Sequence, residues 1–283
     1  MKRIAIALAG SVVLASCSAD PVGTQVEDSA ERNAALEEVL AHERRNDDRA
    51  RDEFRHPAET LAFFQVEPDH TVIEYAPGGG WYSRILAPYL AENGRYFAVS
   101  FPPEAAAPLG EEFVERVRGF GESFSGEQSE ALGLPPEKVP FYYTNAIPED
   151  LNGAVDRVLM IRMMHNLIRW GVADSEIEAL VKTLKPGGLF GVVQHRAKPD
   201  APEDYVDGNK GYLTQDDLIA FFEGKGLELV DTSEINANPK DTADYEDGVW
   251  TLPPSYAKGD EDRGTYAAIG ESDRMTLLFR KAE

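Results

Sequence analysis

The chain has 283 residues, of which 50 are acidic and 28 basic, giving a formal net charge of -22, and it contains one cysteine. Such an acidic balance argues against a nucleic-acid partner and against docking on anionic lipid through a basic patch. A lone cysteine excludes an internal disulfide framework and a cysteine-based zinc cluster.

The first segment reads as a targeting signal. Lys2 and Arg3 precede an apolar run from Ile4 to Leu14, followed by Leu14-Ala15-Ser16-Cys17. That run is shorter than the roughly 20 residues a membrane span needs. The layout is that of a secretory signal over residues 1–16. Cys17 stands where a bacterial lipobox, which this stretch resembles, carries its lipid. The resemblance implies export and a lipid anchor at Cys17 facing the periplasm. Ser18 after it favours the outer membrane. Cleavage would remove the two positive charges and take the net charge to -24. Residues 17–28 read as a polar tether.

Residues 29–56 are charged but place Leu36, Val39, Leu40, Ala50 and Phe54 at roughly helical spacing. They predict one or two helices ended by Pro57, serving as a cap on the main domain or a lid over a site. From residue 57 to 283 the pattern alternates. Strands are expected over 71–76, 95–100, 139–144, 155–162, 189–194, 227–233 and 275–280. Helices are expected over 81–91, 104–119, 174–184 and 214–223, with Asp174 or Ser175 and then Thr214 as caps. Residues 120–138 read as a loop, and 236–272 as a long insertion with little periodicity. Alternating strands and helices predict an α/β fold, a mostly parallel seven-stranded sheet covered on both faces.

The strongest local signal is a strand, then Pro77-Gly78-Gly79-Gly80, then a helix. Glycines at such a turn let backbone approach a ligand, and the helix offers free N–H groups. A phosphate-binding loop would need Gly-Lys-Ser/Thr, but Trp81 follows Gly80. A dinucleotide fingerprint is approached by Gly78, Gly80 and Ser83, yet Ser100 stands where an acid should end the second strand.

A third pattern fits better. The run Val72-Ile73-Glu74-Tyr75-Ala76-Pro77-Gly78-Gly79-Gly80 resembles motif I of class I S-adenosylmethionine-dependent methyltransferases, with Ala76 in the first glycine place. Leu184-Lys185-Pro186-Gly187-Gly188-Leu189-Phe190 resembles the turn before the fifth strand of that fold. Asp156 to Ile161, followed by His165-Asn166, resembles its fourth-strand motif. Stretches at 238–241, 249–254 and 270–275 look like an exported bacterial subgroup of predicted methyltransferases. The resemblance implies a Rossmann-like class I methyltransferase fold and S-adenosylmethionine as cofactor. It implies that residues 76–80 (Ala76, Pro77, Gly78, Gly79, Gly80) hold the cofactor's tail and ribose, with Glu74 orienting the loop. Ser100, with Glu104 nearby, falls at the ribose position, Asn145 at the adenine position, and Arg162 beside the crevice.

The remaining candidates lie after the fourth and fifth strands. His165 and His195 are candidate general bases, and Arg162 and Arg196 candidate holders of an anionic substrate. A metal at the histidine pair would need further ligands that the sequence does not locate. The bland alternatives are a structural histidine and a salt bridge. Trp81 and Tyr82 either floor the cofactor pocket or pack under the cap. Trp250, Pro253, Pro254 and Tyr256 fall where the acceptor is selected in this fold. The acidic runs at 241–247 and 260–262 read as solvated loop. The expected activity is methyl transfer to a small acceptor. The competing expectation, prompted by Ser100 and by export away from the cofactor's source, is a non-catalytic lipoprotein that keeps the fold and binds another ligand.

Overall fold

The computed structural model describes residues 34–282. The signal, the tether with Cys17 and the first residues of the cap lie outside the described residues. Among the described residues no helix is long and apolar enough to cross a membrane.

The cap is helical over 34–41 (α1), then Asp52–Arg55 (α2) and Pro57–Phe63 (α3). Pro57 opens α3 at its first turn, where its missing N–H costs nothing, so it starts a helix as well as closing one. The domain follows as β1 (Thr71–Tyr75), α4 (Ser83–Leu90), β2 (Arg95–Ser100), α5 (Glu111–Leu132), β3 (Phe141–Tyr143) and β4 (Val155–Ile161). It continues with α6 (Met164–Trp170), α7 (Ala173–Thr183), β5 (Leu184–His195), α8 (Gln215–Glu223), β6 (Leu227–Ser233), α9 (Arg263–Ile269) and β7 (Arg274–Lys281).

The seven strands form one sheet in the order β3-β2-β1-β4-β5-β7-β6, parallel except for β7, which runs antiparallel to both neighbours. Alternate residues face opposite layers. Ile73, Val158 and Phe190 pack with Ile177, Leu180 and Phe222 from α7 and α8. Val72 and Leu159 pack with Ile85 and Leu86 of α4 and with Val39, Leu61 and Phe64 of the cap. Burial on both faces is why these strands are nearly continuous apolar runs. Strand order reverses between β1 and β4, so their carboxyl ends diverge and open a crevice.

Several local readings change. The expected helix over 104–119 is a 3-10 segment, Pro103–Leu109, broken at Gly110 (φ 96°), followed by a 22-residue helix that runs through the expected loop. The stripe Phe113, Val117, Phe120 and Phe124 carries α5 onward. Rings of Phe120 and Phe124 lie 5.6 Å from that of Phe141 on β3. Interior glycines each weaken a helix by about 1 kcal/mol. Gly121, however, lets the Tyr143 hydroxyl reach the Val117 carbonyl at 3.0 Å. The helix α6 was not expected. α7 begins at Ala173, with neither Asp174 nor Ser175 as its cap. Thr214 does sit at the start of α8, but its hydroxyl bonds the Asp217 carboxylate rather than a backbone N–H. Ala243 and Val249 of the insertion 236–272 pack with Ala197 and Tyr212 in a small separate core. Asp241 is not solvated: it is buried and accepts hydrogen bonds from Tyr212 and from the N–H groups of Ala243 and Asp273.

Both central strands leave the sheet through a left-handed residue that is not glycine. Ala76 (φ 51°) donates its N–H to the Val99 carbonyl at 2.7 Å, and Arg162 (φ 58°) donates to Val193 at 2.6 Å. This conformation disfavours an L-residue by about 1–2 kcal/mol, partly offset by the extra freedom glycine has when unfolded. Ala76→Gly should therefore raise the unfolding free energy by about 0.5–1 kcal/mol. Urea denaturation measures this, and a destabilised variant would show that the methyl group makes a needed contact.

Candidate active site

The loop after β1 is built for close approach. Gly78 (φ 55°) and Gly80 (φ 75°) are left-handed, and the Gly80 N–H donates to the Pro77 carbonyl at 3.0 Å. A Cβ on Gly80 would lie 2.8 Å from the Gln128 side chain, whereas one on Gly78 or Gly79 would meet open space. Arg84 buttresses the loop from α4. It donates to the Gly79 carbonyl at 2.7 Å and pairs twice with Asp48 of the cap at 2.6 Å.

Beside this loop lies a crevice of about 780 Å³. Ala76, Gly78 and Ser100 form its floor at the ends of β1 and β2. Phe101, Phe113, Val117, Phe120, Met163, Trp170 and Trp250 make the walls apolar and aromatic, and Arg116, Asn166 and Arg169 add polar groups. Among the described residues none that lines it is a carboxylate. Arg116 lies 4.8 Å from the Phe113 ring and Arg169 5.4 Å from that of Trp250.

Glu74 faces away from this space. Its carboxylate is buried and accepts hydrogen bonds from Tyr96 at 2.7 Å and Ser83 at 2.8 Å. Burial raises its pKa to about 7, against the lowering effect of those two hydroxyls and Arg84. Glu74 thus fixes the start of α4, and with it the loop, from behind.

A second, smaller cavity of about 190 Å³ adjoins the crevice and shares Asn166 and Trp250 with it. Arg162, His165 and His195 line it from the ends of β4 and β5 and the start of α6, with Glu271 and Ser272 before β7 and Val249, Pro253, Pro254 and Ser255 from the insertion. The two imidazoles are 5.5 Å apart between ring centres. His165 Nδ1 is 3.3 Å from the Gln194 amide, and His195 Nδ1 is 2.5 Å from the Ser272 hydroxyl. Both rings are neutral at pH 7. Burial lowers His165 to about 4, with Arg169 and Arg162 adding to it against the Gln194 hydrogen bond. Burial, His165 and three arginines hold His195 well below its ordinary value.

Glu271 is the hub of this wall. Arg51 Nε reaches it at 2.6 Å, Arg274 Nη1 at 3.1 Å and Arg55 Nε at 3.4 Å. Burial opposes its ionisation, but Arg274, Arg55, Arg162 and Arg51 outweigh this and hold it at about 2.

The expected residues therefore fall in different places. Ala76, Gly78 and Ser100 line the crevice; Pro77, Gly79 and Gly80 shape its loop; Arg162, His165 and His195 line the second cavity. Asn145 is exposed in the 3-10 turn after β3 and lines neither cavity, whereas the adenine reading needs it at the crevice. Glu104 is likewise exposed. Arg196 is tied to Asp273 and Glu234, the salt-bridge alternative. Trp81 packs under the cap between Arg45 and Arg55, at 5.2 and 4.6 Å. Among the described residues no group of three or more His, Cys, Asp or Glu is placed to hold a metal. Sequence reasoning missed Phe120 and Trp170, whose signal was the unbroken helical stripe of α5 and the residues following His165. It also missed Arg51, Arg55 and Arg274, which nothing in the sequence links to one carboxylate.

No protein-family model matches the sequence, and no curated protein sequence matches it either. Solved structures do. An S-adenosylmethionine-dependent methyltransferase from Aquifex aeolicus is 15% identical over 88% of this chain and 97% of its own, with a TM-score of 0.48. The [4+2]-cyclase SpnF is 15% identical over 81% and 80%, with a TM-score of 0.51. The 1,6-didemethyltoxoflavin-N1-methyltransferase of Burkholderia thailandensis, solved with that compound and S-adenosylhomocysteine, is 16% identical over 96% and 94%, with a TM-score of 0.45. At these identities the likeness is one of fold. Together with the strand order it defines the class: the chain has the Rossmann-like class I methyltransferase fold.

The buried carboxyl of Glu74 gives a pH signature. Its folded pKa lies above the unfolded value, so the native state binds the extra proton, and stability falls as pH rises from about 4.5 to about 7. The loss amounts to about 3 kcal/mol. The difference in unfolding free energy between Glu74→Gln and wild type should rise by that order across this range, and a difference independent of pH would contradict the assignment.

Proposed function

We propose that this chain is an S-adenosylmethionine-dependent methyltransferase acting on a small acceptor. The observation that carries the reading is the juxtaposition of two cavities at the ends of β1, β4 and β5. One is a large crevice beside the glycine loop, and the other a small polar cavity with a histidine pair.

The crevice residues fit the cofactor. Its aromatic walls suit an adenine, the open space over Gly78 admits ligand against backbone, and Arg116 and Arg169 suit the carboxylate of an amino-acid tail. Ser100 offers the ribose a hydroxyl where the family's motif has a carboxylate, so the grip there is a neutral hydrogen bond. When bound, the cofactor supplies an electrophilic methyl group on a sulfonium. The protein's share is then alignment and, for an acceptor that must lose a proton, a base. His165 and His195 are neutral, and in the tautomer whose proton sits on Nδ1, donated to Gln194 and to Ser272, Nε2 of each is left to accept that proton or to orient the acceptor. Trp250 and Asn166 belong to both cavities and would hold the acceptor facing the cofactor.

Calorimetry of the chain from Cys17 onward with S-adenosylmethionine and S-adenosylhomocysteine tests this. Both should bind. Ser100→Asp should tighten binding about tenfold, because a charge-assisted hydrogen bond replaces a neutral one. The carboxylate-free lining of the crevice favours a second reading, a non-catalytic binding protein on the same fold. No heat from wild type or Ser100→Asp at millimolar ligand would overturn the enzyme and leave that second reading.

The N-terminal segment supports a location as well. The basic start, short apolar run and Leu14-Ala15-Ser16-Cys17 support export and a lipid anchor at Cys17, facing the periplasm at the outer membrane. Metabolic labelling with a palmitate analogue should mark wild type and not Cys17→Ser, and equal labelling would refute the anchor.

A further inference from the structure

Three guanidiniums, those of Arg51, Arg55 and Arg274, pair with the single carboxylate of Glu271, and a fourth, that of Arg162, lines the small cavity beside it and acts on its charge. The next carboxylate, Asp273, is taken by Arg196. Among the described residues, three nitrogens of the cluster, Arg51 Nη2, Arg55 Nη2 and Arg162 Nε, are buried with no hydrogen-bond partner. Each such orphan costs about 1–3 kcal/mol. An excess of buried positive charge with unspent donors is an unusual expense in a chain of net charge -22. Arg162 is the member that lines the small cavity, beside the Ser272 hydroxyl and the Asn166 amide. The left-handed turn at Arg162 places it there, at the mouth of β4.

We propose that the small cavity is a subsite for an oxyanion, a carboxylate or phosphate carried by the acceptor, with Arg162 as its principal contact. Arg51, Arg55 and Arg274 supply the field from behind and are in part neutralised by Glu271. The apolar body of the acceptor lies against Trp250 and Val249. The crevice has arginines of its own for the cofactor's tail, so the Arg162 group is left for a different anion. Calling that anion the acceptor rests on the methyl-transfer reading; the existence of the subsite does not.

The test uses inorganic phosphate and acetate as probes, by thermal shift and calorimetry on the chain from Cys17 onward, without cofactor. At least one probe should bind saturably. Arg162→Gln should weaken it about 10- to 100-fold, the range expected for one charge-assisted contact, with Arg162→Lys in between. Arg196→Gln, whose guanidinium is already paired, should bind the probe as wild type does and controls for general loss of charge. A folded Arg162→Gln that binds the probes as wild type does would overturn the subsite, as would no saturable binding by either. Competition between a bound probe and S-adenosylmethionine would also overturn it, because Arg162 would then serve the cofactor's own carboxylate. Probe binding without any cofactor binding would keep the subsite and remove the acceptor assignment.

Discussion

The buried carboxylate of Glu271 is the constraint on which the site depends. It draws Arg51 and Arg55 from the cap onto Arg274 of β7, joining residues 220 and 216 positions apart in the chain. Removing one partner of such a buried pair is destabilising by about 3–5 kcal/mol, because the other charge stays behind in a medium that solvates it badly. The cap is therefore bound by electrostatics as well as by Leu61 and Phe64. Arg55 also lies over Trp81, the residue that follows Gly80. One ion cluster thus sets the cap, the end of the glycine loop and the wall of the small cavity together.

How much of this was legible in the sequence follows from the range of each interaction. The strand-loop-helix at 71–90 was readable because backbone geometry there depends on local residues: glycine at positive φ, proline before it, an apolar run on each side. The stretch 184–190, expected as a turn before the fifth strand, is instead the first part of β5, with a register shift against β4. The length of α5 was hidden. Gly121 and Gly126 read as loop, while the decisive contacts were with Phe141 and Tyr143 on a strand further along the chain. Asp241 was misread for the same reason. A carboxylate in an acidic run looks solvated, and only the fold brings the N–H of Asp273 and the hydroxyl of Tyr212 to it. The histidines were legible as strand-end residues, but their neutral state depends on the burial the fold imposes, to which the arginines around them add.

The glycine loop shows how the two levels meet. Its left-handed positions at Gly78 and Gly80 are what the pattern requires, yet Ala76, in the first glycine place, adopts the same hand. The strand-end hydrogen bond to Val99 holds it there. Arg162 repeats the arrangement on β4 through Val193. Two neighbouring parallel strands thus turn out of the sheet in the same way, and the space between them is the site. Strain at such positions is tolerated where the surrounding structure over-determines the backbone.

Charge then separates the outside of the molecule from its cavities. The surface carries the acidic excess, and at physiological salt its field decays over about 8 Å. The two cavities of the site differ from it, being rich in arginine. Among the described residues the crevice has Arg116 and Arg169 and no carboxylate, and the small cavity has Arg162 beside Glu271, whose single charge faces Arg162 and three more guanidiniums. Buried charges are screened far less than exposed ones, so a ligand inside responds to the arginines and not to the net charge. The neutral histidines fit this arrangement. Protonating either would add positive charge to a site that already has an excess. An anion seated against Arg162 removes part of that penalty, so the same event that fills the cavity raises the basicity of the imidazoles beside it. In the proposed subsite, occupancy and proton acceptance would be linked through one guanidinium, which would give the left-handed turn at the end of β4 a chemical role.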